Sequence, residues 1–167
     1  MTDLRSAVLA PQDSSVLNHV DMLCRVVLGG QDTGGTFSLV EERAVLGAMT
    51  PRHVHTREAE TFIVLDGALE AWSEDGSVLV EAGSAIHLPP GREHAFRIAS
   101  ASARFYTLIT PSGFESFFVD SGVVLDQSFE GDLPIPGPIP PEGVVALQAL
   151  LEPLGCTITG PPPFLPG

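Results

Sequence analysis

Lysine is missing. All eight cations among the 167 residues are arginines, set against 21 acids, for a formal net charge of −13. Schiff-base and pyridoxal chemistry, which need a lysine amine, are therefore closed to this chain. No basic stripe is present either, which excludes nucleic acid and anionic membrane surfaces as partners and leaves a small-molecule substrate. Cysteine is scarce: Cys24 and Cys156 stand far apart and in no paired motif, so they read as indifferent or buried thiols of a reduced compartment. No apolar run is long enough to span a bilayer, and the first twenty residues hold Asp3, Arg5, Pro11 and Asp13 in place of an apolar leader core. The expectation is a soluble cytoplasmic protein with no membrane partner. Internal repeats, GxSxG, phosphate loops and CxxC are absent as well, and GGQDTGG (residues 29–35) lacks dinucleotide spacing and reads as a loop.

What is present is apolar residue in short runs. Hydrophobic residues make up 44% of the chain and charged residues 17%, which fits one packed domain. From Val20 to Thr110 runs of Val, Leu, Ile, Phe and Thr alternate with Gly, Pro and Asp turn signals. They predict strands at Met22–Leu28, Thr36–Leu46, His53–Thr56, Glu60–Leu65, Ala68–Ser73, Val78–Glu81, Ala85–Leu88, His94–Ile98 and Ala103–Ile109. Strands this short and regular, without helical period between them, predict an all-β antiparallel sandwich or barrel over residues 20–110, preceded by an N-terminal arm over 1–19. The remainder, 111–167, reads as an extension packing on the barrel. Phe114, Phe117 and Phe118 have helical spacing, 133–143 is a proline-rich connector, and Val144, Leu147, Leu150, Leu151 and Leu154 form an apolar helical stripe stopped by Gly155. The tail GPPPFLPG is expected to be extended or frayed.

Four of the five histidines fall within the 42 residues from His53 to His94. His53 and His55 are two apart, so on a strand both rings project to one face and could converge on one ion. Glu60, at an odd offset from His55, must reach them from a neighbouring strand after a turn, and His94 starts another strand after LPPGRE. Three imidazoles and one carboxylate suit iron, manganese, cobalt, nickel, copper or zinc, and would leave positions on the ion for water, dioxygen or a chelating substrate. HVH alone is as readily a surface pair. His19 is placed in that surface class, His87 is read as packed or supporting, and Glu58 as an outer turn residue.

The spacing around these residues resembles the cupin superfamily. Gly47, His53, His55, Glu60 and Gly67 match its first motif with gaps of five, one, four and six; Gly83, Pro89, Gly91 and His94 match its second with gaps of five, one and two; 15 residues separate the two. One position departs, Ile98 standing where the family has Asn, which makes the cavity wall more apolar. QDTGGTFSLVEE, TPSGFESFF and GPPP resemble the flanks of the single-domain cupins similar to quercetin 2,3-dioxygenase. The resemblance implies a jelly-roll barrel with one or two short C-terminal helices, a homodimer, and one divalent transition metal ion per chain on His53, His55, Glu60 and His94. It implies a dioxygenase acting on an enolic or aromatic molecule such as a flavonol or polyketide, with Glu60 as both ligand and catalytic base. A non-redox cyclase, isomerase, dehydratase or decarboxylase, and a non-catalytic small-molecule binder, are the alternatives. By strand parity Phe62, Phe96 and Ile98, with Tyr106, are expected to line the substrate pocket.

Overall fold

A computed structural model describes Ala10 and residues 14–164. The expected strands form, four with the expected ends and the others with ends moved by at most two residues. They are β2 (Met22–Leu28), β3 (Ser38–Val45), β4 (Arg52–His55), β5 (Ala59–Asp66), β6 (Ala68–Ser73), β7 (Gly76–Glu81), β8 (Ala85–Leu88), β9 (His94–Ile98) and β10 (Ser102–Thr110). Three further strands complete the sheets: β1 (Val16–His19), β11 (Val123–Leu125) and β12 (Cys156–Gly160). A seven-stranded sheet runs β11-β1-β2-β3-β10-β5-β8, and a five-stranded sheet runs β12-β4-β9-β6-β7, all antiparallel.

Alternation of side chains turns one face of each strand inward. On β10 the inward set is Ala103, Phe105, Thr107 and Ile109, all buried, while Arg104, Tyr106 and Leu108 between them are half-exposed. Register carries that face across the sheet: Thr107 pairs with Val40 and Phe62, and Ile109 with Ser38 and Glu60. Between the sheets Phe62, Phe96 and Phe105 pack edge-on with centroids 5.0, 5.5 and 6.0 Å apart, surrounded by Val64, Leu69, Ala71, Val80 and Ile98. Each buried aromatic contributes roughly 1.5–3 kcal/mol, so this layer holds the closed end of the barrel. The turn between β5 and β6 is obligatory glycine: Gly67 has φ 73°, and a Cβ there would meet the Ser102 carbonyl oxygen at 2.1 Å.

The other end is closed from the C-terminal side. α2 (Glu115–Ser121) buries Phe117 and Phe118, with Phe114 at its start, and α3 (Pro141–Leu151) brings Leu147 and Leu151 against them. Leu150, expected on the buried stripe, is 37% exposed; the stripe that packs is Leu147, Leu151 and Leu154. GGQDTGG is not plain loop but holds a single helical turn, α1 (Gly30–Thr33), ended by Gly34 in the left-handed region. β12 pairs with β4 and ends at Gly160, where the tail expected to be extended begins; residues 165–167, like 1–9 and 11–13 of the N-terminal arm, lie outside the described residues.

Candidate metal centre

His53 and His55 project from β4 into the barrel, Glu60 from β5 and His94 from β9. The register sets His53 directly opposite His94. The glycine turn after β8 ties the two histidine segments together, because Gly91 N–H donates to the His55 carbonyl at 2.7 Å. One nitrogen or oxygen from each of the four side chains lies within 4.8 Å of all the others. All three imidazoles present Nε2 to the same carboxylate oxygen: Glu60 Oε2 is 3.0 Å from His94, 3.4 Å from His55 and 4.0 Å from His53.

The rings are oriented for coordination. His53 Nδ1 lies 2.9 Å from the Pro51 carbonyl and His94 Nδ1 lies 3.1 Å from the Arg92 carbonyl. A carbonyl only accepts, so Nδ1 carries the proton in both and the Nε2 lone pair faces the cluster. Electrostatics fit a cation as well. Burial alone would raise the Glu60 carboxyl, but the charge of His55 and the close approach of all three imidazoles outweigh it and hold the group well below the usual carboxylate range. Burial would lower His55, and Glu60, Cys156 and Glu58 reverse that, so the site favours positive charge between these carboxylates. His53 is lowered, by burial first, which keeps its ring a neutral donor. Two buried atoms beside the cluster, His55 Nδ1 and Glu58 Oε2, have no hydrogen-bond partner. Three neutral-capable imidazoles and one ionised carboxylate are the donor set of a divalent transition ion, and the residues present fit such an ion.

A cavity runs from the cluster toward the helices, lined on one side by His53, Glu60, Phe62 and Phe96 and on the other by Phe114, Phe117, Phe118, Leu147 and Leu151. Ile98 and Tyr106, expected in the pocket, do not line it. Ile98 lies four residues beyond His94, about 13 Å further along the strand, in the fully buried apolar layer. Tyr106 sits out of phase with Thr107 and Phe105 and faces away from the barrel interior. Two polar groups that were not expected do line the cavity. Glu42 from β3 accepts a 2.6 Å hydrogen bond from the Thr107 hydroxyl, and burial, more than the neighbouring Glu60 charge, pushes its carboxyl up to about 8. His19, placed on the surface by sequence, is buried: its Nδ1 is 2.7 Å from Ser121 Oγ, its ring packs edge-on against Phe117 and tilted against Phe118, and burial lowers it to about 4. Parity was the available signal, since Glu42 is in phase with Val40 and Ala44, and His19 with Leu17. His87, by contrast, is exposed, next to the Thr61 hydroxyl at 2.9 Å. Glu58 is not an outer residue: it is 3% exposed, because the turn before β5 folds it under His55.

Residues 41–109 match the model of the cupin domain family, and the barrel is a cupin jelly-roll. Quercetin 2,3-dioxygenase of Bacillus subtilis (strain 168) is 29% identical over 98 residues, which cover 59% of this chain and 29% of that protein. The chain thus spans under a third of the length of this curated relative. Two solved structures share the fold: KdgF from Halomonas sp., with TM-score 0.59, 16% identity and coverage of 66% of this chain and 99% of that one, and the polyketide cyclase RemF from Streptomyces resistomycificus, with TM-score 0.55, 22% identity, 65% and 81%. Among the described residues no helix is long and apolar enough to cross a membrane.

Proposed function

We propose that the protein is a metal-dependent enzyme acting on an enolic or aromatic small molecule, with dioxygen consumption as the leading reaction. The observation that carries the reading is the placement of three Nε2 atoms around Glu60 Oε2 at the wall of a largely apolar cavity. The likeness to quercetin 2,3-dioxygenase supports a flavonol- or polyketide-like substrate. A divalent transition ion on His53, His55, Glu60 and His94 would polarise an enol or carbonyl oxygen and lower its pKa. The chain's own groups do the rest. Phe62 and Phe96 exclude water and flank a planar substrate, and Glu60, held ionised, accepts the enol proton at a carboxylate oxygen. A second reading, non-redox cyclisation or isomerisation, is favoured by Glu42, whose carboxyl holds its proton in the same cavity and can return one to substrate. Val78 and Leu79, exposed on edge strand β7, support a homodimer, which light scattering would show as twice the chain mass.

An oxygen electrode with quercetin and metal-loaded protein tests the choice. Oxygen uptake by wild type and none by His94→Ala is the expected result. Product formation that persists without oxygen moves the assignment to the second reading, and binding without turnover moves it to a non-catalytic binder.

A further inference from the structure

A ligand imidazole needs an acceptor on its other nitrogen, which fixes the tautomer, holds the ring plane and raises the basicity of the ligating lone pair. His53 and His94 solve this in the same way, each with the backbone carbonyl two residues before it. His55 has no such bond. Its Nδ1 is buried with no hydrogen-bond partner, and the nearest carboxylate oxygen, Glu58 Oε2, lies 3.8 Å away, equally buried and equally without a partner. Two complementary buried atoms left unpaired cost about 1–3 kcal/mol each, and here they face one another.

We propose that Glu58 is the positioning residue of His55, its carboxylate oxygen accepting a hydrogen bond from His55 Nδ1–H that closes as His55 Nε2 engages the cation. The inference rests on the metal-centre reading above. The turn carrying Glu58 is fastened for the purpose: Thr56 N–H and Oγ1 both donate to the Gly155 carbonyl at 2.9 Å, and Arg57 Nε donates to the Leu154 carbonyl at 3.1 Å. The same C-terminal segment sets Cys156 opposite His55 across the β4–β12 ladder. The backbone on either side of Glu58 is thus held in place beneath His55. Charge supplies a second argument. Glu60 alone would leave a divalent ion with an uncompensated buried charge, which is expensive, and Glu58, whose other oxygen lies 3.5 Å from Arg57 Nε, sets a second carboxylate beside it. His55, backed by a carboxylate where the other two have neutral carbonyls, becomes the strongest donor of the three.

The test is the affinity of the purified chain for zinc(II), by competition with a chromophoric chelator, together with the visible spectrum of the cobalt(II) form. Glu58→Ala is expected to weaken zinc binding 10–100-fold and shift the cobalt bands, with Glu58→Gln, which keeps an acceptor but no charge, falling between it and wild type. Should the alanine variant fail to fold, the isosteric glutamine variant carries the test alone, with a loss of at least threefold. A zinc affinity within twofold of wild type in the folded variants, with unchanged cobalt bands, overturns the proposal and leaves the metal centre standing. Wild type that binds neither metal overturns the metal centre, and the role of Glu58 with it.

Discussion

Glu60 and Glu42 stand on the same sheet, face the same cavity and are both shut off from water, yet their surroundings drive them in opposite directions. At the Glu60 end three imidazoles converge and the carboxyl is held ionised. At the Glu42 end the hydrogen-bonding partner is a neutral hydroxyl, Thr107 Oγ1, and burial holds the proton on. Burial is common to both, so it is not what makes a ligand. The difference is what else projects from the facing sheet: His53, His55 and His94 opposite Glu60, apolar side chains around Glu42. Glu41, one residue earlier and on the outer face, adds a third outcome, buried against Arg25 and Arg104 as an ion pair. One strand thus carries an acid clasped by two arginines and a neutral cavity acid side by side, sorted by parity alone.

The same amide substitution at each end separates the two roles most sharply. Glu60→Gln removes a ligand and should weaken zinc affinity more than 100-fold, beyond the range of an outer-shell loss, while Glu42→Gln should leave it within about threefold. Equal losses would erase the distinction.

The next effect is on pH. The folded-state pKa of Glu42 lies above its unfolded value of 4.5, so the stability it contributes is intact below that value and is lost as pH rises toward about 8. Wild type should therefore lose stability relative to Glu42→Gln across that window, by about 1.4 kcal/mol per pH unit at most, in denaturant titrations at matched metal content. A wild-type-minus-variant difference that is flat with pH would mean Glu42 is ionised throughout. Smallest is Thr107→Val, which strips the hydroxyl from Glu42 and should cost about 1–3 kcal/mol without changing zinc affinity.

The fold and this centre were legible in unequal measure. The nine central strands are written in alternation and glycine turns, and His53, His55, Glu60 and His94 in their spacing. β1, β11 and β12 are short, and their register comes from partners distant in the chain, Cys156 finding His55 across a hundred residues. Local pattern carries no trace of that. Parity says that Phe62, Phe96 and Ile98 all point inward, but not that the cavity ends before Ile98, because depth depends on how the helices close the barrel. His19 and Glu58 were obscured for a related reason: polar residues near turns and strand ends read as surface until the rest of the fold covers them.

The central claim is that the converging imidazoles and Glu60 hold one divalent transition ion. Elemental analysis of protein prepared without a nickel column, before and after incubation with zinc(II) and dialysis, tests it most directly. Close to one ion per chain in wild type, and less than a tenth of that in a His53→Ala, His94→Ala double variant, is the predicted result. A wild-type protein that retains no first-row transition metal after incubation, or a double variant that retains as much, would contradict it.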